Sequence, residues 1–159
     1  MPKALGPMKW NALPVATLPG VPLGYEMEDG DGRTFRMVKF AATCAAGALV
    51  THTNTANIVT GTIANGGANM SAGIATVIVG TADYYGWVQT KGLNKTAMLN
   101  SSTDTIDENE FIFPDGNGTV TSADAAAEYY PKCGVYIASA QIATSAAIPV
   151  GTVMLNCVA

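Results

Sequence analysis

The sequence predicts an all-β fold: an antiparallel β-barrel or sandwich of short strands that follows an extended, proline-rich N-terminal arm. Short runs of β-forming residues recur between glycine, asparagine and aspartate turn signals along most of the 159-residue chain. Only one segment, residues 124–130, has the N-cap and alanine pattern of a helical turn. Many short strands separated by turns are typical of barrels and sandwiches.

Residues 1–24 form the predicted arm, and residues 25–159 form a single β-rich domain. Five of the eight prolines lie within residues 1–22, where proline fixes φ and removes backbone donors. The arm carries four apolar side chains that can anchor it: Trp10, Leu13, Val15 and Leu18. It either folds back on its own domain or lies on a neighbouring subunit, and the sequence leaves both alternatives open.

Residues 25–40 predict a β-hairpin, because the acidic glycine turn of residues 28–32 precedes a run of β-formers from Thr34 to Phe40. The segment that follows is rich in threonine and valine, and its glycines interrupt any apolar stripe of helical spacing. It predicts four strands, near residues 47–52, 57–63, 73–79 and 84–90.

The second half of the chain repeats this pattern of short strands and turns. Three short strands are predicted near residues 97–99, 110–113 and 119–121, and two more near residues 133–138 and 152–157. In the last strand, Val153, Leu155 and Cys157 alternate with other residues, so we expect one face of it to lie in a core.

Charge is scarce and unevenly placed. Charged residues make up 13% of the chain, against about 25% in ordinary soluble domains, and none lies in residues 41–82 or 134–159. Threonine and asparagine interrupt the first run, and glutamine, threonine and serine interrupt the second, so neither offers the roughly 18 consecutive apolar residues of a membrane helix. The net charge of −4 disfavours nucleic-acid binding. No apolar stretch typical of a signal peptide occurs near residue 1, so we expect synthesis in the cytoplasm.

The sequence carries no pattern typical of an enzyme, a cofactor site or a metal site. The single histidine, His52, has no nucleophile motif beside it and is interpreted as a strand-surface residue. Cys44, Cys133 and Cys157 lack the spacing of a metal site and fit buried thiols, although a disulfide between two of them stays open. The acidic residues 104–110 are interpreted as a solvated loop, and ion binding there also stays open.

Aromatic residues concentrate at Tyr84, Tyr85 and Trp87. Such a cluster can stack on a sugar ring, but on a strand Tyr85 and Trp87 share one face, so core or subunit packing explains them without a ligand. Together with three residues of the arm they form the set of candidate subunit or capsid contacts: Trp10, Leu13, Val15, Tyr84, Tyr85 and Trp87.

Several segments of the sequence resemble a known family. The first is Gly-Arg-Thr-Phe-Arg-Met-Val-Lys at residues 32–39, followed by a run of small residues through residues 45–47. The others are Tyr-Gly-Trp-Val-Gln-Thr-Lys-Gly at residues 85–92 and a closing pair at residues 133–140 and 151–155. In this order they resemble the small head decoration, or capsid cement, proteins of tailed bacteriophages. The resemblance implies a β-rich, commonly trimeric protein that binds the outside of an assembled head and clamps neighbouring major capsid subunits. It brings no catalytic residues.

We therefore expect a structural virion protein on the outer surface of a phage capsid, with the major capsid protein and further copies of itself as partners. The charge-free strands agree with this role, because exposed strands without charge would aggregate unless a core or a neighbouring subunit buried them. Two alternatives remain: a tail-tube or spike module of a phage particle, and a carbohydrate-binding β module that uses the aromatic cluster.

Overall fold

The computed structural model describes residues 13–53, 55, 57–60, 71–99, 106–107, 109–114, 120–122, 134–136 and 150–157. These residues form ten β-strands in one sheet and no helix, which confirms the predicted all-β class. In the described part of the chain, no helix is long and apolar enough to cross a membrane. The predicted helical turn at residues 124–130 lies outside the described residues.

Most strands lie close to their predicted positions. In chain order they are β1 (Glu26–Glu28), β2 (Thr34–Phe40), β3 (Leu49–His52), β4 (Ile58–Thr60), β5 (Ser71–Ala75), β6 (Tyr85–Met98), β7 (Phe111–Pro114), β8 (Val120–Ser122), β9 (Gly134–Tyr136) and β10 (Val150–Asn156).

The predicted hairpin is present as β1 and β2, which pair in an antiparallel register with Glu26 opposite Arg36. Asp29 organises the turn, because its Oδ1 accepts hydrogen bonds from the backbone N–H groups of Asp31 and Arg33, each at 3.0 Å. The Arg33 side chain donates from Nε to Asp29 Oδ2 at 2.7 Å. Desolvation opposes ionisation, but the hydrogen bonds from Arg33 outweigh it and lower the pKa of Asp29.

Five strands close into a ring of hydrogen-bonded neighbours in the order β2, β4, β3, β5 and β6, with β6 pairing back to β2. Buried side chains from all five strands form one apolar cluster that fills the ring: Val38, Phe40, Val50, Val59, Ala72, Ala75 and Val88, with Val79 beside them. The ring is not a regular barrel, because β6 leaves it to pair with β10.

The expectation of purely antiparallel pairing is wrong at one place. Strands β2 and β4 pair in parallel, with Lys39 opposite Ile58, whereas the other pairings of the ring are antiparallel. Four antiparallel pairings lead around the ring from β2 through β6, β5 and β3 to β4. Each of them reverses the strand direction, so β4 runs in the same direction as β2 and pairs with it in parallel. Composition and turn signals carry no information about this choice of neighbour.

The predicted break between residues 84–90 and 97–99 is also wrong, since β6 is continuous over 14 residues. Gly92 makes the continuity feasible with a φ of +85°, a value that favours glycine. A Cβ at this position would lie 2.9 Å from the carbonyl oxygen of Gly32. Glycine therefore lets β6 bend against the hairpin turn without ending.

Two further apolar clusters lie outside the ring interior. One joins Phe35, Met37 and Trp87 to Val21 of the arm. The other joins β3 and β5 to the end of β6, to β10 and to residues that follow these two strands: Leu49, Ile74, Ala97, Leu99, Ile106, Val153, Leu155 and Cys157. The predicted alternation in β10 is confirmed, because Val153, Leu155 and Cys157 are buried while Met154 and Asn156 between them are exposed.

Candidate interaction surface

The described part of the arm lies on its own domain. Val15 extends the sheet at the start of β6, where its N–H donates to the Tyr85 carbonyl at 3.0 Å and the Tyr85 N–H donates back at 2.8 Å. Pro14 lies above Gly86, at 3.6 Å from the position that a Cβ would take there, and the Phe40 ring approaches that position to 3.1 Å. Glycine at residue 86 therefore leaves room for both rings.

The buried anchor of the arm differs from the one expected. Val21 is 3% exposed and packs with Phe35, Met37 and Trp87, with Leu23 partly buried beside them. By contrast, Leu13 is 72% exposed, and Val15 and Leu18 are 40% and 42% exposed. The apolar side chains expected to hold the arm down thus face outward, apart from Trp10, which lies outside the described residues.

Of the six candidate contact residues, Val15 and Tyr85 come together here, opposite each other in an antiparallel bridge. Leu13 and Tyr84 lie close to them along the chain. Both tyrosines are partly buried, and the Tyr84 carbonyl accepts a hydrogen bond from the Phe40 N–H at 2.8 Å. We name this group of exposed and half-exposed residues, Leu13, Val15, Leu18, Tyr84 and Tyr85, the arm surface.

The border of the arm surface carries an ion pair. Lys39, which pairs with Tyr85 across β2 and β6, places its Nζ 2.7 Å from Asp83 Oδ1. The hydrogen bond that Lys39 donates to the Asp83 carboxylate raises the pKa of Lys39. Val15 and the ion pair thus lie on either side of Tyr85, so apolar and charged groups occur side by side here, as they do in many protein interfaces.

Trp87 does not belong to the arm surface, because it is only 5% exposed and lies in the cluster with Phe35 and Met37. The Tyr25 ring meets it edge-on, with centroids 6.4 Å apart and an interplanar angle of 69°. A sugar ring would need the face of this indole, and the chain's own side chains already cover it.

A polar groove of about 640 Å³ lies between the hairpin turn and the bend of β6. The side-chain amides of Asn94 and Gln89 are hydrogen-bonded within the groove. Asn94 Nδ2 donates to Gln89 Oε1 at 3.0 Å, and Gln89 Nε2 donates to the backbone carbonyls of Lys91 and Leu93, each at 3.0 Å. Arg33, also in the lining, is held by Asp29 at 2.6 Å. These polar groups therefore stabilise the bend.

Cys157 lies in one apolar cluster and Cys44 packs against another, and within the described residues neither thiol forms a disulfide. Burial raises the pKa of Cys44 to about 11 and that of Cys157 to about 12, so both thiols stay protonated and unreactive at neutral pH. Cys133 lies outside the described residues. Within the described ranges, no group of three or more histidine, cysteine, aspartate or glutamate side chains could hold a metal ion.

Only part of the acidic segment 104–110 is described, and a hydrogen bond joins two residues of that part. Glu110 Oε2 accepts a hydrogen bond from the Asp107 N–H at 2.9 Å. Asp104 and Glu108 lie outside the described residues.

His52 lies at the end of β3, as expected, but it is partly buried instead of on the surface. Its Nε2 is buried and has no hydrogen-bond partner among the described residues. Burial, and secondarily the positive charge of Arg36, lower the pKa of His52. No serine or cysteine nucleophile is hydrogen-bonded to this imidazole in the described part of the chain.

No protein-family model matches the sequence, and no curated protein matches it. The fold, however, is similar to a solved structure, the head fiber gp8.5 N base of bacteriophage phi29, with a TM-score of 0.51 and 13% sequence identity. The similarity covers 78% of this chain and 94% of that one. The expected resemblance to a phage head protein is thus confirmed at the level of the fold.

Proposed function

We propose that this protein is a structural component of a bacteriophage head, bound to the outer surface of the capsid, where it stabilises contacts between neighbouring major capsid subunits. The observation that carries the proposal is the fold similarity to a head fiber base over almost the full length of that chain. The segment resemblance to head decoration proteins points to the same class independently. Homotrimer formation and location on the mature virion belong to the same proposal.

The arm surface is the part of the molecule best suited to grip a capsid. Leu13 and Leu18 project apolar side chains into solvent from a segment that carries no charge between Trp10 and Tyr25. Burying such side chains against a partner stabilises the complex by about 25 cal/mol per Å² of apolar surface. Because the arm is joined to β6 by backbone hydrogen bonds, this apolar surface is largely preorganised for binding.

Stabilisation of the head follows from mass action. A protein that binds the intact shell and not its disrupted state lowers the free energy of the shell by RT ln(1 + [L]/Kd). This role requires no catalysis, cofactor, nucleic acid or membrane. The burial of Trp87 disfavours the carbohydrate-binding alternative, and the fold similarity to a head protein favours the head over the tail.

Binding of the purified protein to heads that lack it tests the proposal. We expect the protein to sediment with such heads and to raise the temperature at which they rupture. Leu13→Lys should weaken binding at least tenfold, since it places a charge in the arm surface. Glu28→Lys is the control, because Glu28 is exposed and lies beside the hairpin turn, whereas Lys39 and Tyr85 lie at the other end of β2. Absence of binding by the wild-type protein would refute the proposal.

A further inference from the structure

The turn between β1 and β2 contains two aspartates that are each followed by a glycine. They are Asp29, which precedes Gly30, and Asp31, which precedes Gly32. In such a pair the glycine nitrogen can attack the side-chain carboxyl carbon of the aspartate, because glycine has no Cβ to block the approach. The two pairs share this local chemistry, so the folded turn decides which of them reacts.

The turn holds the side chain of Asp29 firmly. Only 14% of this side chain is exposed. Its Oδ1 accepts hydrogen bonds from the backbone N–H groups of Asp31 and Arg33, and its Oδ2 accepts one from Arg33 Nε at 2.7 Å. A side chain held through both oxygens is not free to turn its carboxyl carbon toward the next nitrogen. Desolvation opposes ionisation, but these bonds lower the pKa of Asp29, and an ionised carboxylate resists nucleophilic attack.

Asp31 is much less restrained. Its side chain is 77% exposed, and its Oδ2 accepts a hydrogen bond from Arg33 Nη2 at 3.0 Å. The attacking nitrogen, that of Gly32, donates to the Asp29 carbonyl at 3.2 Å. A Cβ at residue 32 would meet no atom within 4 Å, so the space beside this glycine is open. The Asp31 side chain can therefore sample the rotamers from which the reaction starts.

We propose that Asp31 isomerises spontaneously in the folded protein, whereas Arg33 protects Asp29. The Gly32 nitrogen forms a bond to Cγ of Asp31 and loses its proton, and the carboxyl hydroxyl leaves as water, which gives a cyclic imide. Water then adds to the former backbone carbonyl carbon of Asp31 and breaks its bond to the nitrogen, so the chain continues through Cβ and Cγ. One water is released and one is consumed, so the product has the mass of the starting chain.

The reaction alters the polar groove, because Asp31 and Arg33 both line it. The β-linked residue adds one carbon to the backbone of the turn. It also leaves the carboxylate directly on Cα, which shortens its reach toward Arg33. The residue keeps its negative charge, so neither the net charge nor the mass of the protein reveals the change.

Peptide mapping of the folded protein after prolonged incubation in mildly acidic buffer tests the proposal. Trypsin and a glutamate-specific protease release residues 29–33 as one peptide, since Glu28 and Arg33 supply the cleavage sites. Electron-transfer fragmentation then distinguishes a β-linked residue from a normal one at each aspartate. We expect the β-linked form to accumulate about tenfold faster at residue 31 than at residue 29, because a held side chain reaches the attacking geometry less often.

The chain unfolded in guanidinium chloride is the first control, and there the two aspartates should react at similar rates. Arg33→Gln is the matched variant, because it removes the side-chain bonds of Arg33 to both aspartates. Trypsin then cuts after Arg36 instead. In this variant, shown to be folded by its denaturant midpoint, we expect residue 29 to react about as fast as residue 31.

Equal rates at the two residues of the folded wild type, or no reaction at residue 31, would overturn the proposal. So would an equally large difference in the unfolded chain, since local sequence would then be its cause, or continued protection of residue 29 in Arg33→Gln. The proposal goes beyond the proposed function and does not depend on it, so none of these outcomes bears on binding to heads.

Discussion

Two buried threonines show how one hydroxyl group can act in opposite directions. Thr51 and Thr90 are 1% and 0% exposed. Thr90 Oγ1 donates to the Thr34 carbonyl at 3.2 Å and so ties β6 to β2. Thr51 Oγ1 has no hydrogen-bond partner among the described residues. A buried hydroxyl without a partner carries its desolvation cost uncompensated.

Replacing each threonine with valine, which has the same shape, should therefore have opposite effects. We expect Thr51→Val to raise the free energy of unfolding by about 1 kcal/mol and Thr90→Val to lower it by about 1 kcal/mol. Urea denaturation of the two variants beside the wild type measures both values. Destabilisation of similar size in both variants would mean that Thr51 is satisfied in solution.

His52 makes stability depend on pH. Burial and the charge of Arg36 lower its pKa in the folded state, so below about pH 6.5 the unfolded chain binds more protons at this residue. The stabilisation is fully present above that pH and is lost as the pH falls. We expect His52→Gln to lose less stability than the wild type between pH 7.5 and pH 5.0 in urea titrations. Equal losses would contradict this assignment.

The sequence shows that His52 is the single histidine of the chain, but it does not show that the positive charge of Arg36 acts on it. Arg36 is itself buried and paired with Glu26 at 2.6 Å, a contact that depends on the register of β1 and β2. Interactions between residues distant in sequence set the environment of this histidine, and a local pattern cannot reveal them.

Among the elements, the arm illustrates what local pattern can and cannot predict. Its proline content predicts an extended segment without regular pairing. From Leu13 to Gly24 the structure has bends and a turn and no strand, and it pairs with the domain through Val15 and through the Gly24 N–H, which donates to the Met37 carbonyl at 2.8 Å. Which apolar side chain points inward depends on the surface beneath it. The sequence therefore suggested Leu13 and Leu18 as anchors, whereas the structure buries Val21.

Truncation of the anchor should be costly, and truncation of an exposed leucine should not. We expect Val21→Ala to lower the free energy of unfolding by about 1.5 kcal/mol, since two buried methyl groups are lost. Leu18→Ala, the control on the same arm, should change it by less than about 0.5 kcal/mol. Chemical denaturation gives both numbers, and equal effects would mean that the arm packs differently in solution.

Strand β6 was the hardest element to predict. Its first half pairs with β2 and β5, and its second half pairs with β10, so it belongs to two parts of the sheet. Lysine, glycine and asparagine at residues 91–94 have the composition of a turn. The strand continues because Gly92 bends it and the Gln89–Asn94 hydrogen bonds hold the bend.

At the scale of the whole molecule, the shortage of charge was the most informative feature of the sequence. Within the described residues, much of the first charge-free run lies in buried strands, including Leu49, Val50 and Ile74. The second charge-free run contains β10, whose residues alternate between a buried face and a more exposed one. Alternation predicted the buried face, whereas the exposure of Val150 and Met154 depends on what packs against the other face, which a local pattern does not show.

The central claim, that this protein is a structural component on the outside of a phage head, is tested most directly by a difference map. The measurement compares cryo-EM reconstructions of heads with and without the protein. The account predicts extra density of about this domain's size on the outer surface, where neighbouring capsid subunits meet, with the arm surface toward the shell. Identical heads, or density missing from the tail instead, would contradict it.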